Sequence, residues 1–201
     1  VNWIAQNVQA LVQAWEPGSL GGRALANILA GKVNPSAKLP ISIPRHSGQI
    51  QMIYNHKPSQ YFHKYIDGPS TPLYPFGFGL SYTRFAYSSL KLSHTRISDK
   101  DSFTASIELT NVGDREGTEV VQLYIRDIYS SATRPVKELK DFARVTLKPG
   151  EKKTVTFTVT PDKLAYWNRN MQYGVEKGEF EIMIGSSSQD KDLKKVKLEV
   201  L

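Results

Sequence analysis

The stretch that decides the fold runs from residue 72 to residue 85 and reads Pro-Leu-Tyr-Pro-Phe-Gly-Phe-Gly-Leu-Ser-Tyr-Thr-Arg-Phe. Pro72 and Pro75 fix their own backbone angles and disfavour helical geometry in the residues before them, which excludes a helix here. Aromatic residues recur along the stretch and are too apolar to be left in water. We therefore predict a rigid, irregular segment that is held between two bodies of different architecture.

The chain beyond Phe85 has the alternating pattern of β-strands. Residues 103–110 alternate apolar and polar side chains, which places one apolar face inward. Turn-forming residues separate such runs, as in Lys148-Pro149-Gly150-Glu151. The pattern predicts about seven short strands, the number expected of an immunoglobulin-like sandwich. The other strand candidates are residues 90–92, 121–125, 137–145, 155–159, 180–184 and 196–200.

The chain before the decisive stretch predicts a few α/β elements. Residues 8–15 are mostly apolar and are followed by Pro17-Gly18, which favours a buried strand. Residues 21–30 have apolar positions at helical spacing, and Gly31 supplies a C-terminal stop. Residues 39–44 predict one short edge strand bounded by prolines. These elements are too few to cover both faces of a sheet.

Seven motifs occur in one order along nearly the whole chain: residues 14–18, 21–29, 34–40, 72–85, 120–124, 134–140 and 147–151. In this order they resemble family 3 glycoside hydrolases, the β-glucosidases and β-xylosidases. Residues 167–173 also resemble bacterial periplasmic β-glucosidases. The whole chain is therefore most similar to that group of enzymes, and next to the β-xylosidases.

The resemblance implies a mixed fold class with three parts. Residues 1–44 are the C-terminal tail of an α/β sandwich domain, and residues 45–83 form an aromatic and proline-rich interdomain segment, here called the strap. Residues 84–201 form an all-β fibronectin type III-like, or immunoglobulin-like, sandwich. The resemblance also implies a periplasmic or secreted parent enzyme, and it is compatible with a parent enzyme that forms a homodimer.

The activity implied by the resemblance is that of an exo-acting retaining β-glycosidase of the β-glucosidase type, which removes terminal β-linked sugars from oligosaccharides. Retention requires two carboxyl groups roughly 5–5.5 Å apart. The family keeps its nucleophilic Asp in a barrel domain and its acid/base Glu in the α/β sandwich, and no carboxylate here matches either motif. We expect no catalytic residue in this chain, and no activity from it alone.

Five residues are candidates for the rim of the parent's substrate cleft. Glu16 and Ser19 belong to the Pro-Gly turn, and Tyr54, Asn55 and Lys57 belong to the strap. The competing interpretation of the strap residues, which we favour, is packing between domains.

Other chemistries lack a motif. Gly77-Phe78-Gly79 lacks the third glycine of a dinucleotide fingerprint, the four histidines are scattered, and cysteine is absent, so we predict neither cofactor nor metal. The net charge of +7 is spread along the chain, which favours a solvated surface over nucleic-acid binding. No apolar run is long enough to span a membrane. The opening residues have no leader pattern, so we expect a part of a longer protein.

The alternative function is a stand-alone fibronectin-like module that binds carbohydrate or protein without catalysis. Trp167 is the residue on which it depends, because an exposed Trp can stack on a sugar ring. Packing of Trp167 at one end of the sandwich is the interpretation that we favour.

Overall fold

The computed structural model describes residues 2–49, 51–58, 65–66 and 68–201. Residues 50, 59–64 and 67 of the strap lie outside the described residues. The helices are α1 (Asn2–Asn7), α2 (Gly21–Leu29) and α3 (Pro161–Leu164). The strands are β1 (Phe85–Tyr87), β2 (Lys91–Leu92), β3 (Arg96–Ile97), β4 (Phe103–Asn111), β5 (Gly117–Asp127), β6 (Glu138–Leu147), β7 (Lys152–Val159), β8 (Tyr166–Trp167), β9 (Tyr173–Gly174), β10 (Gly178–Gly185) and β11 (Leu193–Val200).

The strands form two sheets and a separate hairpin. In the first sheet β4 pairs antiparallel with β1, β2 and β7. The second sheet has the order β3-β11-β10-β5-β6, in which β3 and β11 are parallel and the other pairs antiparallel. The hairpin pairs β8 with β9. The predicted sandwich, and with it the mixed fold class, is confirmed.

The core lies between the two sheets and follows the predicted alternation. Phe103, Ala105, Ile107 and Leu109 of β4 are buried and face the buried side chains of β5 and β10, among them Leu123. Burial of these apolar side chains is the main force that holds the sandwich together. The short helix α3 separates β7 from β8 and begins at Pro161, whose fixed φ suits the first helical position.

The middle of β5 is buried on both faces. Val121, Leu123 and Ile125 face the sandwich core, whereas Gln122 and Tyr124 on the opposite face are also buried. Tyr124 belongs to a second apolar cluster in which strap residues take part. The strap therefore forms a third layer against the outer face of the second sheet.

The helix predicted over residues 21–30 is confirmed as α2. Gly31 ends it with φ of +69°, and its N–H donates to the Ile28 carbonyl at 2.9 Å. The next N–H, of Lys32, donates to the Asn27 carbonyl at 2.9 Å. These two bonds form a Schellman motif, which requires a left-handed residue and so explains the glycine.

The strand predicted over residues 8–15 is wrong. The structure assigns no strand there, and the large apolar side chains stand in solvent, with Val12 47% exposed. A strand needs a neighbour for its backbone groups, and no strand among the described residues pairs with this segment. The predicted edge strand over residues 39–44 is reduced to one bridge between Ile43 and Tyr74.

The prediction that Trp167 packs at one end of the sandwich is also wrong. Its side chain is 61% exposed, whereas the preceding Tyr166 is 5% exposed. The two residues are consecutive in β8, so their side chains lie on opposite faces, and the face with Tyr166 is turned to the protein.

The domain boundaries at residues 44 and 83 stay predictions. Hydrogen bonds cross both of them. Ile43 bonds to Tyr74 across the first, and Thr83 donates to the Asn111 side chain across the second. Among the described residues, none of the helices has the length and apolarity needed to cross a membrane.

Candidate functional site: the seam between the strap and the sandwich

The side chain of Tyr54 is wedged between the strap and the sandwich. Its ring stacks on Phe76 with centroids 4.2 Å apart and meets Tyr124 of β5 edge-on at 5.9 Å. Its hydroxyl oxygen accepts a hydrogen bond from the Leu139 N–H at 3.2 Å. Each aromatic pair adds about 0.5–1.5 kcal/mol beyond the apolar area that it buries. Tyr54 therefore fastens the strap to the second sheet.

Gln122 connects three segments at the same place. Its amide nitrogen donates to the carbonyls of Gly77 at 3.1 Å and Ser186 at 2.7 Å, and its amide oxygen accepts from the Tyr124 hydroxyl at 2.6 Å. Gly77 has φ of +77°, and a Cβ at this position would stand 2.1 Å from the Gln122 amide oxygen. Only glycine combines this backbone geometry with this close approach.

A buried ion pair joins residues 1–44 to the sandwich. Lys38 Nζ lies 3.0 Å from Glu119 Oε1, and both side chains are largely buried. Lys38 also donates to the Gly79 carbonyl at 3.0 Å, and the Tyr87 hydroxyl donates to Glu119 at 3.0 Å. Burial raises the pKa of Glu119 above its ordinary value, and Lys38 opposes that rise. Burial beside Glu119 likewise raises the pKa of Tyr87.

Asn34 makes a further connection. Its side-chain oxygen accepts from the Ser81 hydroxyl at 2.9 Å and the Tyr82 N–H at 2.8 Å, and its nitrogen donates to the Glu116 carbonyl at 3.0 Å. The Tyr82 hydroxyl donates to the Ile28 carbonyl at 2.8 Å, so that α2, the strap and the start of β5 are held together.

Sequence reasoning missed the four polar residues of this seam, Asn34, Lys38, Glu119 and Gln122. A signal was present for Gln122, which interrupts the apolar run of residues 120–125. A polar side chain in a buried run needs a partner, and so marks a contact with another segment.

The predicted rim residues fall into two separate groups. Glu16 and Ser19 are exposed, and neither side chain makes a hydrogen bond within the described part of the chain. Tyr54 is held in the seam, while Asn55 is half-buried and Lys57 is exposed. No hydrogen bond or ring contact among the described residues joins the two groups.

The segment that carries Asn55 and Lys57 is fixed by its neighbours. Tyr54 anchors one side, and the His56 carbonyl accepts a hydrogen bond from the Val136 N–H at 2.9 Å. The sandwich thus holds both the side chain before Asn55 and the peptide after it.

An open cleft of about 540 Å³ lies near the seam, where the strap meets the turn after β4. Its lining residues are Ser81, Tyr82, Thr83, Arg84, Val112, Gly113 and Asp114. Asp114 is the only carboxylate among them, whereas glycoside hydrolysis by the usual mechanism requires two. The described residues also contain no cluster of three His, Asp or Glu side chains suited to a metal ion.

A second group of charged residues holds the loop between β5 and β6. The Arg134 guanidinium lies 4.4 Å from the centroid of the Tyr166 ring, and Glu176 accepts from the Ser131 N–H at 2.9 Å. Burial raises the pKa of Asp127 to about 6, and one oxygen of this carboxylate is buried without a hydrogen-bond partner. The hydrogen bonds from Ser131 and Tyr166 lower the pKa of Glu176. The Glu176 carboxylate therefore holds the loop through these hydrogen bonds.

Comparison with known proteins places the chain in a class. Residues 1–82 match the glycosyl hydrolase family 3 C-terminal domain, and residues 119–188 match the fibronectin type III-like domain. The chain belongs to glycoside hydrolase family 3 and corresponds to the C-terminal part of its members, as the motifs predicted.

Individual relatives agree with this assignment. The periplasmic β-glucosidase of Salmonella typhimurium is 46% identical over 193 residues, which cover 91% of this chain and 25% of that protein. A β-xylosidase of Formosa agariphila is 45% identical over 100% of this chain and 28% of its own length. The chain therefore spans about a quarter of these relatives.

Solved structures show the same fold. A β-glucosidase from Erythrobacter marinus superposes with a TM-score of 0.94 at 43% identity, covering 98% of this chain and 26% of that one. The Listeria innocua β-glucosidase in complex with glucose has a TM-score of 0.89 at 37% identity, covering 98% of this chain and 28% of that one.

Proposed function

We propose that this chain is the C-terminal scaffold of an exo-acting retaining β-glycosidase of the β-glucosidase type. The parent enzyme would hydrolyse terminal β-linked sugars of oligosaccharides with a nucleophile and an acid/base that lie outside these 201 residues. The observation that carries the proposal is the seam, in which Tyr54, Gln122 and the Lys38–Glu119 pair fix residues of the hydrolase domain to the sandwich. Such fixed geometry serves a neighbouring catalytic site, since misplacement of about 1 Å can cost a hundredfold in rate.

The exposed apolar side chains near the start of the chain support the same role. Trp3 is 71% exposed, Leu11 45% and Leu29 73%, on a surface that carries several further apolar residues. Apolar surface of this extent marks a place where other protein packs. We propose that the remainder of the parent's α/β sandwich domain covers it.

The rim residues enter as part of this proposal. Asn55 and Lys57 lie in a segment that the sandwich immobilises, and Glu16 and Ser19 lie in an exposed turn beside α2. Each would contact substrate at the edge of the parent's cleft, while Tyr54 would act on the rim only through its position in the seam. We also propose a periplasmic or secreted location, which the Salmonella relative supports, and a homodimeric parent enzyme.

The decisive experiment is a chimera. The corresponding C-terminal quarter of the Salmonella enzyme is replaced by this chain, and hydrolysis of 4-nitrophenyl β-D-glucoside is measured for the chimera and for the chain alone. We expect turnover by the chimera and none by the isolated chain. Turnover by the purified chain alone, or a well-folded but inactive chimera, would refute the proposal.

Four variants of the chimera test the seam and the rim separately. Gln122→Leu removes the amide that binds the Gly77 and Ser186 carbonyls, and we expect it to lower both the melting temperature and kcat. Gln189→Leu is the matched control, because this glutamine is exposed and its side chain makes no hydrogen bond in the described structure.

Asn55→Ala and Lys57→Ala should raise KM at unchanged melting temperature; unaltered kinetics in both would remove them from the rim.

A further inference from the structure

We propose that the hairpin of β8 and β9 is a stacking site for the pyranose rings of a β-linked oligosaccharide, with Trp167 and Tyr173 as its platform. The two residues are direct partners across the antiparallel pair, so their side chains lie on the same face. Their ring centroids are 5.4 Å apart with a tilt of 51°. Trp167 is 61% exposed and Tyr173 is 54% exposed, which leaves the aromatic faces open to a ligand.

The outward position of this pair is built into the hairpin. The other face carries Tyr166, which is buried beneath Arg134, and its cross-strand partner is Gly174. Tyr166 on this face of the hairpin is therefore already packed against the protein. Trp167 and Tyr173 are on the face that remains, and the alternation of the strand prevents them from turning inward.

The platform is rigid before any ligand arrives. The side-chain oxygen of Asn168 accepts from the Asn170 N–H at 2.9 Å and the Gln172 N–H at 3.0 Å, and the Asn168 N–H donates to the Gln172 carbonyl at 3.0 Å. Met171 takes φ of +57°, a left-handed geometry that only a tightly determined turn imposes on such a residue. The Tyr173 hydroxyl also reaches the Asp162 carbonyl at 3.4 Å. Ligand binding would therefore order little that is not already ordered.

The polar rim of the platform suits a neutral ligand with many hydroxyl groups. The side-chain amides of Asn170 and Gln172 are exposed and make no hydrogen bond in the described structure, and each offers both donors and acceptors. Arg169 is the only charged residue of the hairpin, and it forms no ion pair among the described residues. A neutral saccharide needs no counter-charge, and its apolar ring face matches the exposed aromatic rings. The class of ligand, a β-linked saccharide, rests on the proposed function, whereas the site rests on the hairpin.

The test uses the 201-residue chain and a direct observation of its indole groups. The chain contains three tryptophans, so its indole N–H region in an NMR spectrum has three signals, and Trp167→Phe assigns one of them. Cellotetraose is titrated to about 20 mM, with maltotetraose as the linkage control, and we expect a dissociation constant on the order of 1 mM. The Trp167 signal should shift with saturation for cellotetraose, while the other indole signals stay in place.

Variants make the test specific. Trp167→Ala should weaken binding at least tenfold without lowering the melting temperature, since the side chain is outside the core. Trp15→Ala is the matched control, because Trp15 is also exposed but lies far away in the sequence and should bind like the wild type. An unchanged Trp167 signal at the highest cellotetraose concentration would overturn the proposal, as would equal loss of binding in both variants. Since the chimera assay measures hydrolysis independently, an active chimera with a silent hairpin would reject this site alone.

Discussion

Removing the positive partner of Glu119 should be strongly destabilising, and lowering the pH should reverse the effect. Lys38→Met keeps most of the side-chain length and deletes the charge, together with the hydrogen bonds to Glu119 and the Gly79 carbonyl. At 3.0 Å and an effective dielectric constant of about 20, the lost Coulomb attraction is about 5.5 kcal/mol. The variant no longer has to desolvate an ammonium group, which offsets part of this. We therefore expect a net loss of about 3 kcal/mol in the free energy of unfolding at pH 7.5.

The pH dependence follows from the state of Glu119 in the variant. Burial already raises the pKa of Glu119 in the wild type, and removal of Lys38 raises it further, because Lys38 is the main group that opposes the rise. A carboxyl whose folded-state pKa lies above its unfolded value of about 4.3 destabilises the protein while ionised. This destabilisation is present above the folded pKa and disappears as the pH falls below the unfolded one. The difference between variant and wild type should therefore shrink steadily from pH 7.5 to pH 4.

The assay is urea unfolding, followed by circular dichroism at several pH values. The double variant Lys38→Met/Glu119→Leu removes both charges and should recover to within about 1 kcal/mol of the wild type, because an apolar pair can replace a buried ion pair. Lys197→Met is the matched control, since its partner Glu179 is exposed and such a pair contributes at most about 1 kcal/mol. A loss below about 1 kcal/mol for Lys38→Met, a loss that does not change with pH, or a double variant as unstable as the single one would refute this account of the ion pair.

Three further changes test other parts of the structure by the same unfolding assay. Asp127→Asn should stabilise the protein by about 1–2 kcal/mol at pH 8 and have little effect at pH 4. The folded-state pKa of about 6 lies above the unfolded value of about 3.9, so the carboxylate that is ionised at pH 8 destabilises the fold, with partial exposure reducing the effect; a variant that is less stable at pH 8 would contradict this. Gly77→Ala should cost about 3 kcal/mol by displacing Gln122, whereas Gly150→Ala, with φ of +75° and open space around it, should cost about 1 kcal/mol; equal losses would rule out the clash. Tyr54→Ala should cost about 3 kcal/mol, and a loss as small as that expected for the exposed Tyr129→Ala would show that the strap is not fastened there.

The parts of the fold that depend on local pattern were predictable. Alternation located the long strands of the sandwich, because a half-buried sheet must place apolar residues on one face. Helix α2 was found because its apolar spacing and the glycine after it are both local signals. The same reasoning gave a wrong prediction for residues 8–15. An apolar run indicates that a segment is to be covered, but a strand also needs a partner strand, and the sequence of the segment does not specify one.

The candidate site was the least predictable part, because its contacts join residues far apart in the sequence. Lys38 and Glu119 are 81 positions apart, and nothing near either of them marks the other. Tyr54 was identified as a rim candidate for its aromatic ring and its place in a long loop, which are equally properties of a packing residue. The resemblance to a family provided the order of the domains, whereas the connections between them required coordinates.

The burial of both faces of β5 and the exposure of Trp167 have the same physical origin. In each case the alternation of a strand assigns side chains to two faces, and what decides their burial is whether another segment covers the second face. For β5 the strap covers it, so Gln122 and Tyr124 are buried opposite a conventional core. For β8 no described segment covers it, so Trp167 stays in solvent although Tyr166 beside it is buried. A large aromatic side chain on an uncovered face has an unfavourable contact with water, and relief of that contact is the driving force available to whatever ligand binds there.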